Sequence, residues 1–182
     1  MTKIDETKKF CLEKAETYDG KLGKELLIQM MLSIEKKAIE HCKLDLSFNK
    51  DAFLVGIYFH DIGRIISDGS DHPEKGYDLF QESFEKEFNE EELKIIKDCC
   101  LNHGSSANPE TKEGKLLQIL DKSIVFEPEV MVVVLKKLML KHNDWNVAFE
   151  EFLKKMNKWY GKIPDELVKL EHADTLKYLN KI

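Results

Sequence analysis

Apolar residues recur along most of the chain at the three- and four-residue intervals that are typical of amphipathic helices. The clearest case lies between Lys21 and Lys43, where one face carries Leu26, Leu27, Met30, Met31, Ile34, Ala38 and Ile39. No stretch alternates strictly between apolar and polar residues, as a half-buried strand does. The pattern therefore predicts an all-α fold.

Capping and turn residues divide this pattern into consecutive helices. Asn89 and Glu92 have the spacing of a capping box, and Pro73 stands where the first turn of a helix tolerates its missing N–H. The predicted helices span about residues 4–19, 21–43, 50–62, 72–88, 90–103, 115–126, 130–141, 145–160 and 165–182. Polar loops are predicted at 63–70 and 105–114.

The composition narrows the class of protein. The 182 residues can form one compact domain with a substantial core, and 42% hydrophobic residues are typical of a globular chain. A formal net charge of -6 argues against a surface built to bind nucleic-acid backbones. A small anionic substrate is still compatible with this charge, because a metal ion and a few local cations can reverse its sign inside a cleft.

The chain shows no signal of secretion or of membrane insertion. The first residues contain no apolar core of signal-peptide length, and no later run approaches the length of a membrane span. The four cysteines, at positions 11, 42, 99 and 100, form no C-x-x-C pair. We therefore expect reduced thiols in a cytoplasmic protein that binds neither membranes nor nucleic acids.

A histidine and an aspartate, His60 and Asp61, close the almost wholly apolar run 52–59. Burying both groups without partners would be costly, and a divalent cation would satisfy both. The alternative is a helix end at which the two side chains cap backbone groups. Arg64, three residues later, adds a fixed positive charge beside the pair.

Three further ionisable residues, His72, His103 and Asp121, stand where an apolar helix face meets a turn or is interrupted. Each of them alone is more often structural, as a capping group, a C-terminal histidine or a salt-bridge partner. Lys122 is the simplest such partner for Asp121. Taken together with the first pair, however, they could converge on one or two metal ions in a helical bundle.

These motifs resemble the HD-domain superfamily of metal-dependent phosphohydrolases, in the order of that family. The matching stretches are YFHDIGR at 58–64, HPEKG at 72–76, CLNHG at 100–104 and LLQILDKSIVFEP at 116–128. The resemblance covers about residues 24–135 and implies an HD-domain-like helical bundle. We expect residues 1–182 to form a single all-α domain, in which helices at about 143–182 are a C-terminal extension of that bundle.

The resemblance also implies a set of metal ligands. His60 and Asp61 correspond to the metal-binding pair of the family and Asp121 to its distal ligand, while His72 and His103 correspond to the additional ligands of two-metal members. Such a site would hold a divalent transition metal ion, which could be Fe, Mn, Co, Ni or Zn. The closest similarity is to small bacterial members that act on nucleotides or dinucleoside polyphosphates.

One ligand of the family is missing from this chain. The family has another histidine near the start of the helix that precedes the HD pair, whereas residues 26–31 contain none. Gln29 would be an unusual ligand, and His41 lies too near the far end of its helix to match. The metal position that uses His60, Asp61 and Asp121 is therefore expected to be one ligand short.

The second metal position, which uses Asp61, His72 and His103, is expected to be intact. His142 and His172 lie outside the resemblance, and we expect both of them on the surface.

The resemblance predicts an enzyme, a metal-dependent phosphohydrolase that acts on a small nucleotide-like phosphoester or phosphoanhydride through a metal-activated water. Asp61 and Arg64 are its candidate catalytic residues, and Arg64 could hold a phosphate oxygen or simply face solvent. The alternative is a degenerate HD domain that binds metal or nucleotide as a sensor or partner module without turnover. A purely structural bundle is the least favoured hypothesis, because it would have to bury the five polar groups without a metal.

Overall fold

This computed structural model describes residues 2–181, except for the side chains of Glu166, Leu167, Leu170 and Glu171. Helices make up all the regular secondary structure of these residues. The α-helices are α1 (Lys3–Glu16), α2 (Lys24–Leu44), α3 (Lys50–Phe59), α4 (His72–Phe84), α5 (Glu90–Leu101), α6 (Lys112–Ser123), α7 (Pro128–His142), α8 (Trp145–Tyr160) and α9 (Glu166–Leu179). Short 3-10 helices occupy Ile62–Ile65, Glu85–Glu87 and Ile124–Phe126. The prediction of an all-α fold is confirmed.

Several predicted helix boundaries were wrong. The helix predicted at 4–19 ends at Glu16, and the one predicted at 50–62 ends at Phe59. The chain beyond Phe59 tightens into a 3-10 helix, which also replaces the first part of the loop predicted at 63–70. Tertiary packing causes this change, as described for the metal centre below.

The ends of two other helices were also misplaced. The helices predicted at 72–88 and 115–126 both finish as 3-10 turns, so that α4 ends at Phe84 and α6 at Ser123. Helix α6 also begins at Lys112, earlier than predicted. The predicted final helix extended to Ile182, which lies outside the described residues.

The predicted capping box is observed, and other polar side chains also mark helix starts. Asn89 and Glu92 form a complete capping box, in which each backbone N–H donates to the side chain of the other residue at 3.0 Å. Asn49 caps α3 by accepting from the N–H of Ala52. Asp71 precedes α4 but does not cap it with its side chain, because that carboxylate accepts a hydrogen bond from the Ser67 hydroxyl.

Helix α3 lies at the centre of the core. Its residues 52–59 are all buried, which explains why this run is apolar on every side rather than along one stripe. Helices α1, α2 and α5 pack around it. A Cβ atom on Gly56 would come within 2.5 Å of the Cys99 Cβ atom, so the glycine allows α3 and α5 to approach closely. The polar end of α3 is thereby held inside the bundle.

The three C-terminal helices cover one flank of this core. Helix α7 packs against α2, α8 packs against α7 and α6, and α9 packs against α8 and α6. The apolar stripe of α7 is thus partly core, with Val130, Val134 and Leu138 buried. None of the helices formed by the described residues has the length and apolar character needed to cross a bilayer.

A buried carboxylate, that of Asp98, joins α5 to the start of α6. It accepts hydrogen bonds from the N–H groups of Glu110 and Thr111 at 3.1 and 2.8 Å, and from the Thr111 hydroxyl at 2.6 Å. The Asn102 side-chain amide also donates to it at 2.7 Å. The Thr111 hydroxyl in turn caps α6 at the N–H of Gly114. The loop 102–111 and the first turn of α6 are therefore held by one side chain.

We expect Asp98→Ala to lower the free energy of unfolding by about 3 kcal/mol, because it leaves two part-buried N–H donors without their charged acceptor. Denaturation in urea would measure the loss, with the exposed Asp19→Ala as a matched control near zero. Burial raises the pKa of Asp98, but its hydrogen bonds outweigh burial and lower that pKa. The ionised Asp98 carboxylate therefore stabilises the fold above the ordinary pKa of 3.8, and this stabilisation is lost as the pH falls below it. If the difference in unfolding free energy between the wild type and Asp98→Ala stayed constant as the pH fell below 3.8, this account would be contradicted.

Candidate metal centre

The pair His60 and Asp61 lies just beyond the last residue of α3. His60 is the C-cap, and its N–H still donates to the carbonyl of Gly56 at 3.0 Å. Asp61 precedes the 3-10 helix, whose backbone turns sharply away. Both side chains are buried, with 2% and 6% of their residue surface exposed. The end of the most apolar helix therefore delivers an imidazole and a carboxylate into the protein interior.

Two glycines determine the turn after this pair. A Cβ atom on Gly63 would collide with the carbonyl oxygen of His72 and the backbone nitrogen of Gly76. A Cβ atom on Gly76 would collide with the carbonyl oxygen of Phe59. The 3-10 helix thus packs backbone against backbone on the first turns of α4. This contact brings His72 to the end of α3.

Three histidines are oriented in the same way. The Nδ1 atoms of His60, His72 and His103 lie 2.6, 2.8 and 2.8 Å from carbonyl oxygens three residues earlier in the chain. These carbonyls belong to Ile57, Gly69 and Cys100. A carbonyl can only accept, so each Nδ1 carries a proton, and in the neutral imidazole each Nε2 atom keeps its lone pair. This is the arrangement in which a neutral histidine binds a metal.

The Nε2 atoms converge on Asp61. Those of His72 and His103 lie 3.0 and 3.7 Å from its Oδ1 atom, and that of His60 lies 3.8 Å from its Oδ2 atom. The Nε2 atom of His60 is also 3.8 Å from Oδ1 of Asp121. The Nε2 atoms of His60 and His72 are buried without a hydrogen-bond partner among the described residues, since even the 3.0 Å contact lacks hydrogen-bond geometry.

The five side chains form two triads that share Asp61. In one triad Asp61 lies with His72 and His103, and in the other with His60 and Asp121; the candidate ligand atoms of each triad are all within 4.8 Å of one another. Ligands about 2.1 Å from a cation are themselves about 3 Å or a little more apart. The buried nitrogens without partners and the mixed imidazole and carboxylate donors therefore fit a divalent transition metal ion.

The charges within the site favour its ionised carboxylates. Burial raises the pKa of the Asp61 carboxyl, but His60 and His72 outweigh burial and hold that pKa well below its ordinary value. Burial has the same effect on Asp121, where the ammonium group of Lys122 outweighs it and lowers the pKa. Both aspartates are thus in the form that binds a cation.

The histidines respond to burial in different ways. Burial lowers the pKa of His103 to about 4, helped by the positive charge that His60 can carry. Its imidazole is therefore neutral near pH 7, which is the form that binds metal. Burial also lowers the pKa of His60, but Asp61 and Asp121 outweigh it, so that the pKa is raised. A basic imidazole that faces two carboxylates is a strong donor for a cation.

Two cationic residues contact the site. Arg64 donates from its Nε atom to Oδ1 of Asp61 at 2.8 Å, and a quarter of its side chain remains exposed. It therefore neither faces only solvent nor lies apart from the carboxylates. Lys122 donates to Oδ2 of Asp121, in the ion pair predicted for it. The exposed part of the Arg64 guanidinium group has further N–H donors for an anion.

The other candidates from the sequence lie elsewhere. The side-chain amide of Gln29 donates to the Ser33 hydroxyl, and His41 is exposed and belongs to neither triad. His142 is half-buried and pairs with Glu151 at 2.6 Å. His172 stacks on the Phe126 ring with centroids 5.1 Å apart. Both histidines are partly exposed rather than fully solvated, because helices α7 to α9 pack onto the core and partly cover them.

Comparison with known protein families gives a match that includes the metal centre. The family described as HD domain matches residues 15–124, which include all five side chains of the two triads. This is more than half of the chain. No curated protein and no solved structure matches it.

We expect Gly76→Ala to destabilise the protein by about 1–3 kcal/mol, because the added methyl group must push the end of α3 away from α4. It should also weaken metal binding, since the same contact sets the position of His72. Gly104→Ala is the matched control, because a Cβ atom there meets nothing within 4 Å. Thermal unfolding and metal analysis would measure both effects. Equal effects of the two substitutions would show that the close contact does not position the site.

Proposed function

We propose a phosphohydrolase function for this chain, which belongs to the HD domain family of generally metal-dependent hydrolases. The proposed reaction is hydrolysis of a phosphoester or phosphoanhydride bond in a small, nucleotide-like substrate. The observation that carries the proposal is the set of three Nε2 atoms, each fixed through its Nδ1 atom, that face one buried carboxylate. Such orientation of neutral imidazoles is typical of metal ligands.

In this proposal all five side chains of the two triads hold divalent metal, and Asp61 is the ligand that both positions share. A bound cation of this kind lowers the pKa of a water molecule and polarises a phosphoryl oxygen. The metal could be Fe, Mn, Co, Ni or Zn, because mixed histidine and carboxylate sites accept several of these ions.

The residues of the chain have separate tasks in this reaction. The backbone carbonyls that accept from the Nδ1 atoms keep the imidazoles in their metal-binding tautomer. Lys122 keeps the Asp121 carboxylate ionised and oriented. Arg64 can direct its remaining N–H groups at a phosphate oxygen and so hold the substrate and offset negative charge as it develops. Asp61 and Arg64 are therefore the proposed catalytic residues.

A second candidate function is a degenerate HD domain that binds a metal or nucleotide without turnover. The observation in its favour is that, within the described residues, no side chain of α2 belongs to either triad. The triad of His60, Asp61 and Asp121 then has no further protein ligand from the helix on which the family carries a histidine. Substrate phosphate could supply that ligand, because metal ions are often held by carboxylates together with substrate phosphates.

Turnover tests the first candidate against the second. We expect the protein to hydrolyse at least one member of a phosphoester and nucleotide panel with added manganese, cobalt, nickel or iron, and to lose this activity with a chelator. Asp61→Ala should lower metal affinity and turnover by more than about 100-fold. Losing a ligand that both metal positions share should cost more than changing a residue that only hydrogen-bonds to a ligand.

Helical content by circular dichroism should be nearly unchanged in Asp61→Ala, because the buried carboxylate is removed together with the metal that compensates it. The exposed Asp19→Ala serves as the control for both measurements. Retained turnover in a well-folded Asp61→Ala protein would contradict the assignment. Metal binding without turnover on any member of the panel would favour the degenerate domain.

The two metal positions should differ in occupancy. We expect His72→Ala or His103→Ala to lower the metal content of the resting protein more than Asp121→Ala does, because Asp121 serves the position that is one ligand short. Elemental analysis of the three variants and the wild type would measure this. If all three variants lose the same amount of metal, the five side chains serve a single position.

A further inference from the structure

A cavity of about 300 Å³ lies between helices α7 and α8 and the segment that leads into α2. Its apolar wall consists of Leu22, Leu26, Val134, Leu138 and Trp159. None of the five side chains of the metal centre lines it. Its volume is at the lower end of the range of about 300–1,000 Å³ that is typical of small-molecule sites.

Lysines surround the opening of this cavity. They are Lys21, Lys137, Lys141 and Lys155, and Glu151 is the acidic residue among them. The Glu151 carboxylate is already shared, because it accepts from Lys141 at 2.8 Å and from His142 at 2.6 Å. Lys155 lies 3.7 Å from its other oxygen. The single carboxylate of Glu151 therefore cannot neutralise all four lysines.

The remaining two lysines interact with the Asp68 carboxylate only at longer range. In the part of the chain that the structure describes, neither Lys21 nor Lys137 forms an ion pair with a carboxylate. The ammonium group of Lys137 instead donates to the backbone carbonyl of Lys21. Burial and the like charge of Lys155 lower the pKa of Lys137 and outweigh the opposing effect of the Asp68 carboxylate. A protein with a net charge of -6 thus concentrates cations at one apolar cavity.

We propose that this cavity binds an organic phosphate with an aromatic body, such as a nucleoside phosphate. The ring would lie against Trp159 and the leucines, and the phosphate groups would pair with the ammonium groups of the lysines that line the cavity. Such a ligand could be a separate small molecule, or the distal part of a substrate held at the metal centre. The segment that follows Asp61 contacts one residue of the cavity, since the N–H of Lys21 donates to the Asp68 carboxylate.

The fluorescence of Trp159 gives a direct test. The chain has two tryptophans, and the exposed Trp145 can be replaced in Trp145→Phe so that Trp159 reports alone. ATP should change the emission in a saturable way. Adenosine, which lacks the charge, and tripolyphosphate, which lacks the ring, should each bind at least about tenfold more weakly, a difference of about 1.4 kcal/mol. No saturable change with ATP would overturn the proposal.

A matched pair of charge reversals tests the position. Lys155→Glu should raise the dissociation constant for ATP at least about tenfold, because it places a negative charge at the opening of the cavity. Lys154→Glu changes the net charge equally at an exposed neighbouring position that does not line the cavity, and should have little effect. Equal weakening by both would show a long-range charge effect and overturn the proposal.

ATP binding by the same two charge-reversal variants in an Asp61→Ala background distinguishes a separate small molecule from the distal part of a substrate. This measurement of binding needs no turnover. An unchanged dissociation constant there means that the cavity alone holds the ligand. A weaker one that keeps the difference between Lys155→Glu and Lys154→Glu means that the ligand spans the cavity and the metal centre. If that difference disappears in the Asp61→Ala background, ATP binds only at the metal centre and the proposal fails.

Discussion

The buried carboxylate of Asp61 is the group on which the arrangement of this protein depends. A carboxylate in a protein interior is costly unless cations or donors surround it. Here its Oδ1 atom contacts Arg64 at 2.8 Å and His72 at 3.0 Å. Those partners come from the 3-10 helix and from α4, and further contacts come from the ends of α3 and α5. The ends of these helices must therefore meet at one point, and the glycines at 56, 63 and 76 permit the close packing that this requires.

Backbone carbonyls near the helix ends set the orientation of the three imidazoles. At the end of a helix the last carbonyls have no partner within the helix, and a histidine three residues later can donate to one of them. His60 and His103 use this geometry at the ends of α3 and α5. His72 uses the carbonyl of Gly69 in the loop before α4. The hydrogen bond satisfies a carbonyl and selects the tautomer at once, so little rearrangement is needed for the Nε2 atom to act as a ligand.

Charge is distributed unevenly over the molecule. The net charge is negative, yet the cavity between α7 and α8 collects four lysines around an apolar wall. The metal centre, by contrast, combines two carboxylates with imidazoles in the interior. The electrostatic field of each region acts mainly on nearby groups, because exposed charges farther away than about 10 Å are screened at moderate ionic strength. The sign of the net charge therefore does not decide which ligands either region attracts.

The sequence by itself determined the helical class, most of the helices and the identity of the clustered polar residues. Helical periodicity and caps such as the Asn89 and Glu92 pair are local, and the placement of His60, Asp61, His72, His103 and Asp121 at helix ends or within an apolar stripe is visible in the order of residues. Only the tertiary structure decided where the helices tighten into 3-10 turns, and how close the five side chains come. It also revealed Asp98 as the buried anchor of α6 and brought the four lysines together. These features depend on contacts between residues far apart in the chain, which no local pattern records.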